Sequence, residues 1–191
     1  MVRDLIVCIL TFNLDEVLRP SNYLPKVCHK ITDQSMIEIA IENAHKLSPS
    51  KIVLYVTKRN LECINKTIKH NSYSRMISYC VLDNEFEIYK GIGRRLSFYK
   101  CLRNKNVLVI PGNSPLLKPI TLIKMVSEGK DVKIHDCLFY LRKASQNKLD
   151  DTSHIEKIEI KVDENELLRV QTKEDYEKAV KIVKSLEKIK D

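Results

Sequence analysis

Four short apolar runs set the limits on what this chain can fold into. Residues 5–12 read LIVCILTF, 51–56 KIVLYV, 76–82 MISYCVL and 106–110 NVLVI. None alternates with polar residues, and a short unbroken apolar run suits a strand covered on both faces. Helical patterns lie between them. Ser35 and Glu38 make a capping box, after which Met36, Ile37, Ala40, Ile41, Ala44 and Leu47 recur at helical spacing. Further helices are expected over 61–68 and 93–102, and from Pro119 to a stop at Gly129. Thr172 and Asp175 open a last amphipathic helix. Residues 132–142 and 155–162 read as later strands, with His135, Asp136 and Cys137 inside the first; residues 13–34 read as a long loop.

Strands alternating with helices predict an α/β fold of three α/β/α layers around a mostly parallel mixed sheet, as one domain over residues 1–191. Ligands of such sheets bind beyond the carboxyl ends of strands, near a switch in strand order. That places candidate chemistry after Phe12, Leu82 and Ile110.

Composition removes several function classes. No apolar run approaches the roughly 20 residues that cross a bilayer, so no membrane partner is expected. The first apolar stretch runs into acidic residues instead of a small-residue cleavage site, so it reads as a buried strand and not a leader. The six cysteines are widely spaced without a C-x-x-C pair, which argues against structural zinc and for reduced thiols in the cytoplasm. No G-x-x-x-x-G-K-S/T is present, so a P-loop is excluded. The net charge of +8 is concentrated in residues 61–130, where 12 Lys and Arg face 5 Asp and Glu. Arg94, Arg95, Lys100, Arg103 and Lys105 belong to this stretch, which reads either as a polyanion patch or as a solvated helix face.

Three blocks carry a family resemblance. The first is Leu24-Pro25-Lys26-Val27-Cys28-His29-Lys30 followed by Met36-Ile37, the second VLVIPGNSPLLKPITLIKM at 107–125, the third Gln171-Thr172-Lys173-Glu174-Asp175-Tyr176. In order and rough spacing they resemble the nucleotidyltransferase family, in particular the bacterial N-acetylglucosamine-1-phosphate uridyltransferases and other sugar-nucleotide pyrophosphorylases. The resemblance implies the nucleotide-diphospho-sugar transferase fold and a reaction in which a sugar phosphate oxygen attacks a nucleotide's α-phosphate and pyrophosphate leaves. It assigns Lys26 and Arg19 as catalytic cations, Asn13, Gly91 and Gly93 as nucleotide-binding positions, and Asn113 and Gln171 as metal positions for Mg²⁺. On the residues alone, Lys26 could also be an ordinary loop lysine, and Arg19 divides evenly between the two readings.

The departures are specific. Only four glycines occur, none before residue 91. The family's glycine-rich phosphate loop brings backbone N–H groups close, which needs residues without Cβ; here it is replaced by Asn13-Leu14-Asp15-Glu16-Val17-Leu18, with two carboxylates. The base-reading Gln-Gly-Thr is reduced to Gly91-Ile92-Gly93, with Glu85 or Phe86 in the place of the Gln. Neutral amides stand at both metal positions, Asn113 and Gln171, which weakens a site for a hard cation. The stretch between them is short for the family's sugar-binding insert.

Three functions follow. One is a non-catalytic relative that binds a nucleoside triphosphate or sugar phosphate, or serves as a subunit with a protein partner or a second copy. Another is an active nucleotidyltransferase with altered substrate. The third, a nucleic-acid-binding module, lacks a reading helix, stacking aromatics or zinc module. The departures favour the first, while Lys26 and Arg19 support the second.

Overall fold

The computed structural model describes residues 4–11, 24–69, 72–82, 100–145, 147–148, 151–158 and 162–187. Strand β1 (Leu5–Leu10) is buried at every position, as its unbroken apolar sequence requires. Parallel strands β2 (Lys51–Thr57) and β4 (Asn106–Pro111) flank it, and β3 (Ile77–Leu82) adds in parallel outside β2. Beyond β4 come β6 (Leu138–Leu141), β5 (Val132–His135) and the two-residue β7 (Glu156–Lys157), giving the order β3-β2-β1-β4-β6-β5-β7. Strand β6 pairs antiparallel with both neighbours and β7 pairs parallel with β5. The expected mostly parallel mixed sheet is therefore present.

Alternation along each strand divides the core. Leu5, Val7 and Ile9 of β1, with Ile52, Leu54, Leu108 and Ile110, face helices α1 (Met36–His45), α2 (Lys58–Ile68) and α3 (Pro119–Ser127). Ile6, Cys8 and Leu10, with Val53, Tyr55, Val107, Val109 and Phe139, face the opposite side, over Leu102, Ala144 and Ile155. A third cluster joins helix α4 (Lys173–Glu187) through Ala179 and Val180 to Ile31, Met36 and Val170.

Local sequence explains most boundaries. The Ser35–Glu38 box closes reciprocally at the start of α1. A second box, Thr57 with Asn60, starts α2 three residues before the position expected from periodicity. Pro119 opens α3, and Gly129 stops it at φ 68°, a conformation that costs a residue with Cβ.

Two expectations need correcting. Residues 132–142 are two strands and not one, because Asp136 and Cys137 form the turn of a hairpin; the backbone N–H of Cys137 donates to His135 Nδ1 at 3.1 Å inside that turn. The later strand is limited, among described residues, to Glu156–Lys157. The expected helix over 93–102 falls mostly outside the described residues, and Lys100–Leu102 is a 3₁₀ turn. All six cysteines are free, with Cys8, Cys28 and Cys80 buried and Cys101 exposed. Burial lifts the Cys8 thiol well above its usual range and Cys80 to about 11.

One contact was invisible to local reading. The first turn of α3 has no cap from its own N-terminal side chain. Glu166, only 4% exposed, supplies one from 48 residues away: it accepts from the Lys118 backbone N–H at 3.0 Å and from the Thr121 hydroxyl, and Lys118 Nζ stands 3.7 Å from its other oxygen. A carboxylate on a helix N-terminus also meets the positive end of the helix dipole. Glu166→Ala is expected to cost about 2–3 kcal/mol in urea unfolding, since it removes a cap and orphans buried donors. Glu166→Gln, which keeps one acceptor oxygen, is expected to cost less.

Candidate functional site

Strand order locates the site. From β1 the chain builds outward through β2 to β3, then returns to add β4 on β1's other flank. The connections leaving the carboxyl ends of β1 and β4 thus run to opposite sides, which makes these strand ends a switch point. Thr11 marks the β1 end, where its hydroxyl donates to the Tyr55 carbonyl at 2.6 Å and the Asn60 side-chain amide donates to the Thr11 carbonyl at 3.5 Å. Gly112 marks the β4 end. Its N–H donates to the Leu10 carbonyl at 2.8 Å, and a Cβ there would stand 2.8 Å from that same oxygen and 3.3 Å from Val27 Cγ1. Glycine is required because a neighbouring backbone occupies the space a side chain needs.

Val27 belongs to the 3₁₀ turn Lys26–Cys28, so the same close approach seats the Lys26 block over the strand ends. Val27 and Cys28 are buried and anchor the turn. The Lys26 ammonium donates to the Gln171 carbonyl at 2.6 Å, across 145 residues. A second tie links the same two blocks, where the Tyr176 hydroxyl donates to the Lys30 carbonyl at 2.6 Å and its ring meets His29 edge-on.

Asn113 follows Gly112 and is 2% exposed. Its side-chain amide donates to the Val170 carbonyl at 3.0 Å, while the Val170 N–H donates to the Asn113 carbonyl at 2.8 Å. This two-bond clasp fastens the segment before α4 to the end of β4. One residue on, Asp175 accepts from the backbone N–H groups of Gln171 (3.0 Å) and Thr172 (2.9 Å). Those bonds hold its carboxyl below the usual range. The expected Thr172–Asp175 start of α4 is present, since the Asp175 N–H donates back to the Thr172 hydroxyl at 3.1 Å.

Lys26, Asn113 and Gln171 are thereby brought to one place from three distant segments. Arg19, Asn13, Gly91 and Gly93 lie outside the described residues, as do Arg94 and Arg95 of the basic stretch. As a donor set for resident Mg²⁺ the gathered residues fit poorly. Asn113 and Gln171 bring no charge, and the Asn113 amide is turned to the Val170 carbonyl. Among the described residues no three His, Cys, Asp or Glu side chains gather closely enough to hold a metal ion. A lysine over two strand ends at a switch point suits a phosphate better.

Periodicity left some of this site unmarked. Gly112 carries a steric requirement that emerges only when β1 and β4 pair. Ser114 lies inside the 107–125 block and Arg169 two residues before the 171–176 block, each next to a member of the clasp, but neither was marked by a motif of its own.

Known proteins share this fold. The chain is 26% identical over 136 residues, 70% of its length, to the bifunctional protein GlmU of Buchnera aphidicola subsp. Acyrthosiphon pisum. It spans only 27% of that relative's length. Rv0371c of Mycobacterium tuberculosis, solved in complex with manganese, superposes with a TM-score of 0.66 at 13% identity over 93% of this chain and 98% of that one. The 4-diphosphocytidyl-2C-methyl-D-erythritol synthase of Anaerococcus prevotii superposes with a TM-score of 0.65 at 11% identity, covering 94% and 96%. The chain is nucleotidyltransferase-like, in divergent form. No family model matches it. No helix among the described residues is long and apolar enough to cross a membrane.

Restoring a carboxylate tests the metal position. Asn113→Asp replaces a buried donor with an acceptor facing the Val170 carbonyl, and is expected to cost about 1–3 kcal/mol by thermal unfolding without divalent cations. Millimolar Mg²⁺ or Mn²⁺ is expected to recover part of that loss in the variant and to leave the wild-type Tm unchanged.

Proposed function

We propose that this chain binds a nucleoside triphosphate or sugar phosphate at the carboxyl ends of β1 and β4, with sugar-nucleotide transfer weakened or lost. The observation that carries this reading is the Lys26 ammonium, seated over the switch point and held at 2.6 Å by the Gln171 carbonyl. In a transferase of this type the nucleotide's α-phosphate gains negative charge as the sugar phosphate oxygen attacks, and a fixed cation stabilises it. Lys26 has the position and the charge for that role, with Arg19 as its partner from the loop beyond β1. Asn13, Gly91 and Gly93 remain the nucleotide-contacting positions in this proposal.

The metal positions separate binding from catalysis. Asn113 and Gln171 stay the proposed points of approach for Mg²⁺, but two amides offer it no charge. We therefore place any divalent cation with the incoming triphosphate and not in a site resident in the protein. A subunit role, beside a protein partner or a second copy, is compatible with lost catalysis in the cytoplasm. A second reading, an active enzyme with altered substrate, is favoured by one observation: the fold relative Rv0371c was solved with manganese.

Pyrophosphate release from UTP, Mg²⁺ and N-acetylglucosamine 1-phosphate distinguishes the readings, with Mn²⁺ tried in parallel. The expected result is no release above background, alongside UTP binding that Lys26→Ala weakens by about tenfold, the size of one charge-assisted contact. Release that disappears in Lys26→Ala would establish the active enzyme. UTP binding indifferent to that substitution would remove Lys26 from the site.

A further inference from the structure

The carbonyl that holds Lys26 is itself held from behind. Lys26 Nζ donates to the Gln171 carbonyl at 2.6 Å. That oxygen belongs to the peptide unit joining Gln171 to Thr172, and the N–H of the same unit is that of Thr172. No cis peptide bond occurs among the described residues, so this C=O and N–H point to opposite sides of one plane. On the far side the Thr172 N–H donates to Asp175 Oδ2 at 2.9 Å, and the Gln171 N–H reaches the same oxygen at 3.0 Å. One peptide group thus stands between an ammonium and a carboxylate, hydrogen-bonded to both.

The charges suit that arrangement. A peptide unit carries a dipole of about 3.5 D, and here its negative end meets the cation and its positive end the anion. Each hydrogen bond polarises the group and strengthens the other. The two backbone bonds, that of Thr172 first, hold the Asp175 carboxyl below its usual range and keep it ionised at neutral pH. Without it the lysine would meet the wrong field. Helix α4 begins at Lys173, so residues 171 and 172 lie at its positive end, which repels an ammonium. Asp175 and Glu174 in the first turn offset that repulsion.

Other contacts fix where the peptide lies. The Asn113–Val170 clasp seats it beside the end of β4, and the Tyr176 hydroxyl ties the first turn of α4 to the Lys30 carbonyl at 2.6 Å. Asp175 sets which way the 171–172 peptide faces. Capping of α4 accounts for the reciprocal bonds between Thr172 and Asp175, but it makes no use of the Gln171 carbonyl or of Lys26.

We propose that Asp175 is a positioning residue for Lys26, acting through the Gln171–Thr172 peptide to hold the ammonium where a bound triphosphate meets it. The inference rests on the phosphate-binding role proposed for Lys26 and deepens it. The sign of the effect separates positioning from plain electrostatics. Through space a carboxylate repels a triphosphate, so removing its charge would by itself tighten binding. Losing an aimed ammonium weakens binding.

The test is a double-mutant cycle, read by calorimetric titration of the full chain with UTP in the wild type, Asp175→Asn, Lys26→Ala and the double variant. Asp175→Asn keeps the shape and one acceptor oxygen, and is expected to weaken UTP binding by about threefold, the size of an exposed charge interaction. In the Lys26→Ala background the same change is expected to cause no loss. Asp175→Glu, which restores the charge and suits a capping box, is expected to recover the affinity. Glu177→Gln, which removes an exposed carboxylate of α4 that faces Lys173, is expected to leave it unchanged. Affinity equal or higher in Asp175→Asn, an equal loss in both backgrounds, a loss that Asp175→Glu does not recover, or the same loss in Glu177→Gln overturns the positioning role. In each of those cases UTP binding that still depends on Lys26 leaves the phosphate-binding reading standing. If the wild type does not bind UTP, or binds it without regard to Lys26, both fall together. Should Asp175→Asn not fold, Asp175→Ser, which keeps a capping oxygen without the charge, takes its place in the cycle.

Discussion

The pairing of β1 with β4 is the constraint on which the rest of this molecule depends. Six consecutive residues of each strand are in register, from Leu5 opposite Asn106 to Leu10 opposite Pro111. That pairing reverses the direction in which the sheet grows and makes the strand ends a switch point. It also brings the Leu10 carbonyl so close to residue 112 that only glycine fits. The Lys26 turn then settles onto the same spot through Val27. A single backbone contact thus positions the candidate lysine.

Around that contact the chain is closed by polar ties of very long sequence separation. Lys26 reaches Gln171, Asn113 clasps Val170, Glu166 caps α3, and the Asn43 amide donates to the Leu117 carbonyl at 2.7 Å. Each satisfies groups that helix ends or turns leave without partners. The segment from 163 to 172 supplies most of them, so it acts as a strap across the carboxyl edge. Beside it, Ser114 Oγ and Arg169 Nε are the buried side-chain polar atoms without a hydrogen-bond partner among the described residues.

The clasp also bears on chemistry. An amide at Asn113 can both donate and accept, so it can hold Val170 without a metal; a carboxylate in that place would need a cation to relieve its repulsion from the Val170 carbonyl. The hydrogen bonds between Asn113 and Val170 are therefore complete without a cation.

The sequence by itself determined the four parallel strands β1 to β4, most helix starts and the blocks that meet at the site. Unbroken apolar runs allow only buried strands, and Ser35–Glu38, Pro119, Gly129 and Thr172–Asp175 are local signals whose hydrogen bonds or dihedral preferences need no distant partner. The Asp136–Cys137 turn escaped that reading because it carries neither glycine nor proline to mark it. Asn13, Arg19, Gly91 and Gly93 stand in the sequence as departures from, or matches to, a family pattern, with no geometry added. Only tertiary structure decided that Lys26 reaches the Gln171 carbonyl, that Asn113 is a clasp and that Glu166 caps a helix 48 residues away. Those facts depend on which strand ends are adjacent, and adjacency is set by the burial of two sheet faces at once, which no local stretch of sequence can express.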